Sequence, residues 1–277
     1  MWRLLESSDL LIGQYSLAGN HPEIPAYRLD NDHYFVGALR LSPQSEEITT
    51  IATIATGGGS YNPLLRKPVA QIAVASIFEA FQSTSTNEIV LAFKEGFDLA
   101  SRRIAPLESS ATCAALAIKG HKLYLGNVGD CRIFLIRHGQ VQQVSITHTL
   151  AEALIEGGHA TVEDLENPTS IYDGWTPTRM LGYEELCKPD FRLRLRDDES
   201  DEQALAHQGL ELKSNDGIVV CSGGVFWHWK SPHRWQLFEK YFLKPIGDSQ
   251  KTVEQFVHAV RDQGGFHSLT VVMLQIP

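Results

Sequence analysis

Residues 124–136 read YLGNVGDCRIFLI, and this stretch decides the fold. Its two ends are rich in β-branched and aromatic residues, which predicts two short strands. The two glycines and Asn127 between them predict a close turn, since glycine allows backbone approaches that a Cβ would block. Asp130 stands at the exit of this turn, where an aspartate commonly caps backbone N–H groups. Its wider role depends on what surrounds it.

Composition narrows the class of protein. The chain has 277 residues, of which 43% are hydrophobic, and a formal net charge of −9. This negative balance argues against nucleic acid or an anionic membrane as the main partner. No apolar run approaches the roughly 18 residues that a membrane span needs. The first residues lack the layout of a signal peptide. We therefore expect a cytoplasmic protein without membrane contact.

Four cysteines are widely spaced and form no C-x-x-C pair. Cys113 and Cys221 lie inside apolar, strand-like runs. Such positions favour buried free thiols over disulfides or a zinc site.

The order of elements predicts an α+β fold. Helical spacing of apolar residues indicates helices over 65–77, from Asn87 to Ile104, and over Thr252–Asp262. The other strands are predicted at Tyr34–Leu39, Ile48–Thr56, Thr112–Ile118, Val141–Val144, Ile218–Cys221 and Leu269–Ile276. Consecutive hairpins predict antiparallel pairing. We expect a four-layer α-β-β-α sandwich, with two antiparallel sheets flanked by helices, as one domain over 1–277.

Three segments have less regular patterns. Residues 147–180 predict a long excursion over the surface, of a length that is uncommon unless functional. The alternation of arginine with apolar residues over Phe191–Arg196 predicts an exposed strand. The acidic run Asp197–Glu202 predicts a solvated loop.

This order of motifs resembles the metal-dependent serine/threonine phosphatases of type 2C. Gly126–Arg132 matches the family's A/G-N-V-G-D-S-R signature, with Cys131 in place of serine. Further segments similar to family motifs follow in the family's order: Ser110–Cys113, Thr147–Leu150, Thr178–Gly182, Cys221–Gly224 and His267–Val272. The resemblance implies the four-layer fold and places the family's flap at residues 147–180.

The resemblance also implies a catalytic centre to compare with this sequence. In the family, two Mn²⁺ or Mg²⁺ ions share an aspartate and a water, and that water attacks phosphorus. Arg28 matches the family's phosphate-contacting arginine. Asp32 replaces the glutamate of the same motif, and Asp130 is retained.

Four metal-binding aspartates of the family are replaced in this chain. The substituting residues are His33, Thr56, Gly223 and His267, with Thr56 at the position of the bridging aspartate. Losing a mere outer partner of a metal site typically costs about 10–100-fold in affinity or activity. We therefore expect no binuclear Mn/Mg site, no catalytic residue and no required cofactor.

Three functions remain open at this point. The first is an inactive phosphatase-like module that binds a protein partner, such as a kinase or a phosphoprotein. The second is a phosphatase with a rebuilt site, in which Asp32, His33 and His267 hold one transition metal such as Zn²⁺ or Fe²⁺. The third is an anion pocket without chemistry, formed by Arg28 and the backbone of Gly57–Gly59.

An aromatic cluster offers a candidate surface for the protein partner. Trp227 and Trp229 follow the Gly223–Gly224 turn closely. Tryptophan is enriched at the energetic centres of protein interfaces. The same residues would also suit core packing at the start of a helix.

Overall fold

The structure, a computed structural model, describes residues 10–23, 25–41, 47–59, 62–83, 88–161, 176–226, 233–243 and 247–277. Two five-stranded antiparallel sheets form its centre. The strands are β1 Leu11–Leu17, β2 Asp32–Leu39, β3 Thr49–Gly58, β4 Ser110–Lys119, β5 Lys122–Val128, β6 Arg132–Arg137, β7 Gln140–Gln143, β8 Leu210–Glu211, β9 Gly217–Cys221 and β10 Leu269–Gln275. Sheet A has the order β1-β10-β9-β6-β7, and sheet B the order β2-β3-β4-β5-β8.

Helices cover the outer face of each sheet. The helices are α1 Arg66–Ser83, α2 Ile89–Ile104, α3 Leu150–Glu156, α4 Asp201–Ala206, α5 His233–Phe242 and α6 Ser249–Asp262. On α1 and α2 the side chains of Ile77, Phe93 and Phe97 are fully buried in a cluster with sheet B. The predicted α+β four-layer sandwich of two antiparallel sheets is confirmed.

The facing sides of the two sheets form a continuous apolar layer. Its fully buried members include Ile54, Leu116, Ile133, Val220 and Val272, which come from both sheets. Burial of this kind contributes roughly 25 cal/mol for each Å² of apolar surface removed from water. This layer fixes the two sheets relative to each other and so fixes the positions of their strand ends.

The central stretch differs from the predicted hairpin. β5 pairs with β4 and β8 in sheet B, whereas β6 pairs with β7 and β9 in sheet A. The turn therefore carries the chain from one sheet to the other. Gly129 has φ +97°, and a Cβ there would lie 2.3 Å from Cγ2 of Thr112. Only glycine fits this crossing.

The predicted strand at Phe191–Arg196 is wrong. These residues have no strand structure, although Asp190 just before them forms a bridge with Asn127. The arginines of this segment form ion pairs with acids rather than projecting freely: Arg192 with Asp190, and Arg194 with Asp201. The sequence alternates here because the apolar side chains are buried, whereas the arginines take part in a network of ion pairs.

The predicted solvated loop at Asp197–Glu202 is only partly correct. Helix α4 begins at Asp201, and Ser200 caps it in a capping box with Gln203. The Glu199 side chain is 2% exposed and accepts a hydrogen bond from the backbone N–H of Leu195. An acidic run can therefore contain both the start of a helix and a buried carboxylate that accepts a backbone hydrogen bond.

Other details complete the comparison with the predictions. α2 begins at Ile89 with Glu88 as its N-cap, whereas the predicted cap, Asn87, lies outside the described residues. Cys113 and Cys221 are buried free thiols, as predicted. Within the described ranges, no helix combines the length and hydrophobicity of a membrane span. Residues 162–175 of the predicted excursion, and Trp227 and Trp229, lie outside the described residues.

Candidate functional site

Strand ends of both sheets meet at one edge of the sandwich. In sheet B, Asp32 lies opposite Thr56, and Thr56 lies opposite Thr112. In sheet A, the segment after β9 and the segment before β10 approach the same edge, where Ser222 and Thr270 exchange hydrogen bonds. The two sheets thus bring motifs that are far apart along the chain close together in space.

Asp32 is fully buried between the sheets. Its Oδ1 accepts a hydrogen bond of 2.8 Å from Oγ1 of Thr56, whereas its Oδ2 has no hydrogen-bond partner among the described residues. Burial raises the pKa of Asp32 to about 6, although the nearby hydroxyls of Ser222, Thr56 and Thr270 partly oppose this rise. The hydroxyl of Thr56 is therefore already donated to a neighbouring carboxylate.

Asp130 lies against Gly223. A Cβ built on Gly223 would be 1.9 Å from Oδ2 of Asp130, so the carboxylate fills the space in which a side chain at 223 would begin. The Oδ1 of Asp130 is buried and has no hydrogen-bond partner among the described residues. Burial also raises the pKa of Asp130, with the nearby Thr112 hydroxyl and Arg132 acting against it.

A cavity of about 300 Å³ opens at this edge. It is lined by the backbone of Gly57–Gly59, by apolar and polar side chains, and by residues from both sheets. Its members are Asn31, Thr56, Gly57, Gly58, Gly59, Arg66, Ser110, Thr112, Asp130, Thr176, Pro177, Met180, Gly224, His267 and Ser268. The structure thus brings Thr56, Asp130 and His267 of the predicted set to one cavity, next to Gly223.

His33 lies apart from this group. Side chains alternate along a strand, so His33 and Asp32 point to opposite faces of sheet B. His33 lies near Lys67 on α1 and near Asp30; burial and the Lys67 charge lower its pKa. Within the described ranges, no three His, Cys, Asp or Glu side chains are grouped as a metal site requires. The convergence of Asp32, His33 and His267 is therefore not seen.

Arg28 is also directed elsewhere. Its Nε donates to the carbonyl of His21 at 2.9 Å, and Nη2 donates to the carbonyl of Pro22. It does not line the cavity. The cationic side chain that does line the cavity is Arg66, the first residue of α1.

Hydrogen bonds join Asn31 and Ser268 across the two sheets. The backbone N–H of Asn31 donates to Oγ of Ser268 at 2.9 Å, and the same hydroxyl donates to the carbonyl of Leu29. The carbonyl of Asn31 accepts from the N–H of Gly57. Asn31 itself is 7% exposed, and its Oδ1 has no hydrogen-bond partner among the described residues.

The crossing turn is supported by a buried pair that sequence reasoning did not single out. Nδ1 of His148 accepts from the N–H of Gly129 at 3.1 Å, which leaves the proton on Nε2. Nε2 lies 3.2 Å from Oδ2 of Asp190. The pair joins the 147–150 motif to the turn over 126–132. An isolated aspartate gives no sequence signal for this role, although the arginines around Asp190 are such a signal in retrospect.

Comparisons with known proteins agree with this architecture. The family model described as protein phosphatase 2C matches residues 67–203. The solved serine/threonine phosphatase of S. agalactiae superposes with a TM-score of 0.73 at 17% identity, covering 97% of this chain and 100% of that one. The fold is that of the type 2C phosphatases.

Two other relatives extend this comparison. The catalytic domain of the phosphatase PstP, solved in complex with two manganese ions, has a TM-score of 0.68 at 17% identity and covers 97% of this chain and 98% of that one. Protein phosphatase 1F of Rattus norvegicus is 23% identical over 171 residues, which are 61% of this chain and 36% of that protein. This chain therefore spans only about a third of that relative's length.

The side chains at this edge do not suit the two divalent cations of the type 2C fold. Mn²⁺ and Mg²⁺ favour several carboxylate oxygens. The positions compared above offer a hydroxyl already donated at Thr56, no side chain at Gly223 and an imidazole at His267. The space at Gly223 is moreover filled by Asp130. The arrangement can accept hydrogen bonds, but it lacks the bridging carboxylate.

Proposed function

We propose that this protein is a catalytically inactive phosphatase-like module that acts by binding in Ser/Thr phosphorylation signalling. The partner would be a protein such as a kinase or a phosphoprotein. The type 2C fold supports the connection to phosphorylation, whereas the replaced cleft residues argue against hydrolysis. Function must be argued from the site because one fold hosts several activities.

The relation between Thr56 and Asp32 carries the proposal. A bridging ligand must present anionic oxygen to two cations at once, and a neutral hydroxyl does not do so. Thr56 Oγ1 is instead used to satisfy Asp32 at 2.8 Å. This internal hydrogen bond supports a cleft in which residue 56 does not bridge two cations.

The test measures metal binding and hydrolysis separately on the full chain. Calorimetry with Mn²⁺ and Mg²⁺ is expected to show no binding, and a phosphoserine peptide is expected to stay intact in either metal. The S. agalactiae phosphatase, which has the same fold, serves as the positive control in both assays.

One outcome would overturn this proposal in favour of the rebuilt-site alternative. It is metal-dependent release of phosphate that disappears in both Asp32→Ala and His267→Ala. Zn²⁺ and Fe²⁺ belong in the same series, because a carboxylate and two imidazoles suit these ions better than Mg²⁺.

A further inference from the structure

The cavity next to Gly223 has the size and polarity of a small ligand site. Its volume of about 300 Å³ is at the lower end of the range of about 300–1,000 Å³ that is typical of ligand pockets. One side chain of a partner or one small molecule would therefore fill it. The wall combines two apolar side chains, Met180 and Pro177, with a larger number of polar ones.

Two oxygen atoms of this wall require hydrogen-bond donors. The Oδ1 of Asn31 and the Oδ1 of Asp130 are buried without a partner in the part of the chain that the structure describes. Buried acceptors of this kind carry a free-energy penalty until a donor reaches them. Both residues line the cavity, so a ligand inside it is placed to supply the donors.

The charge of the wall decides between a cation and an anion. The Asp130 carboxylate would repel an anion. Asp32, which accepts a hydrogen bond from Thr56 of the wall, has one oxygen that also has no partner among the described residues. Arg66 lines the cavity as well, but it comes from the start of α1, whereas Asn31 and Asp130 stand at strand ends. The part of the wall that carries the two acceptors without donors, at Asn31 and Asp130, therefore favours a positively charged group.

We propose that this cavity binds a primary ammonium or guanidinium group, with Asp130 and Asn31 as its acceptors and Met180 and Pro177 around its alkyl stem. Such groups supply several N–H donors and no acceptor, which matches the two oxygens. The ligand is a lysine or arginine side chain of a partner protein or a free alkylamine. This proposal rests on the proposed function, because a cleft holding two metal ions would use the same space.

The test uses calorimetry on the full chain with n-butylamine, N-butylguanidine and the neutral analogue n-butanol. The two cations are expected to bind and the alcohol is not. Asp130→Asn, which keeps the shape of the side chain, should weaken amine binding by at least about tenfold, because hydrogen bonds to charged groups are the stronger ones. Asp30→Asn is the matched control, since Asp30 pairs with Lys67 and does not line the cavity.

The remaining arms separate the alternatives. A blocked lysine tripeptide that binds more tightly than n-butylamine points to a partner protein, and equal or weaker binding points to a free amine.

Three outcomes would overturn the proposal. The first is binding of inorganic phosphate through Arg66, shown by its loss in Arg66→Gln. The second is amine binding that is unchanged in Asp130→Asn, with the fold intact by circular dichroism. The third is that neither n-butylamine nor N-butylguanidine binds. Mn²⁺ binding would instead contradict the proposed function, so the two failures are distinguishable.

Discussion

The carboxylate of Asp130 occupies the space above Gly223. Its Oδ2 lies 1.9 Å from the position that a Cβ of residue 223 would take, and Gly223 is itself buried at the start of a short turn after β9. Gly223 follows β9 of sheet A, whereas Asp130 lies in the turn that crosses from β5 of sheet B to β6 of sheet A. A side chain at 223 and the present position of Asp130 are therefore mutually exclusive.

Gly223→Ala should consequently destabilise the fold by about 1–3 kcal/mol, the usual cost of forcing an extra carbon into a packed site. Urea denaturation measures the loss. Gly58→Ala is the matched control, because a Cβ at Gly58 would meet its nearest neighbour at 3.8 Å, in ordinary contact.

A double-mutant cycle attributes the cost to this pair. Asp130→Ala removes the obstructing carboxylate, so Gly223→Ala should cost clearly less in that background. Equal costs in both backgrounds would show that residue 223 and Asp130 do not compete for the same space.

The buried carboxyl of Asp32 should make the fold less stable as the pH rises, which is the opposite of the usual effect of a carboxyl. Burial raises its pKa from 3.8 to about 6, so the folded state binds its proton more tightly than the unfolded state does. The stabilisation from this group is complete below about pH 4 and is lost as the pH rises through about 6.

The difference in unfolding free energy between the wild type and Asp32→Asn should therefore shift by about 2–3 kcal/mol against the wild type from pH 4 to pH 7.5, since a tenfold change in proton affinity is about 1.4 kcal/mol. Urea titrations at several pH values test this. A difference that stays constant with pH would contradict the raised pKa, because Asp130 and the other titrating groups are common to both proteins.

The sequence was sufficient to predict the layers of the fold but not the path of the chain between them. The strands on either side of Gly129 were found because their composition is local information. Whether β6 returns to β5 or crosses to sheet A depends on pairing with β9, which is 80 residues further along the chain. Periodicity within one segment carries no information about such a partner.

The candidate site, too, was predicted from the sequence only in part. The motifs placed Thr56 and His267 near one another, because their order along the chain matches a fold that brings strand ends together. The positions of His33 and Arg28 did not follow from the motifs. The orientation of His33 depends on strand register, and Arg28 is held by carbonyls of the neighbouring turn, at His21 and Pro22.

Arg28→Ala should therefore leave binding at the cavity unchanged. The guanidinium donates to two carbonyls of its own loop and does not line the cavity. Calorimetry with inorganic phosphate and with n-butylamine should give the same result for the variant as for the wild type. A loss of phosphate binding confined to this variant would restore the anion pocket predicted from Arg28 and Gly57–Gly59.

Asp190 should be the acid whose loss costs most stability. Burial would raise its pKa, but hydrogen bonds from His148 and Arg192 outweigh burial and hold the pKa of Asp190 well below its usual range. Asp190→Asn leaves these partners without their counter-charge in a site where the carboxylate is only 5% exposed. Breaking a buried pair in this way typically costs about 3–5 kcal/mol.

The pH dependence distinguishes this effect from simple packing. A carboxyl with a lowered pKa stabilises the fold above its unfolded pKa of about 4, and this contribution is lost as the pH falls. The deficit of Asp190→Asn should thus be full at pH 7 and shrink below pH 4. Asp198→Asn is the matched control: its side chain is 82% exposed, and its pairing with Arg196 should change stability by no more than about 0.5 kcal/mol. Equal effects of the two substitutions at pH 7 would mean that the pair at His148 does not hold the crossing turn.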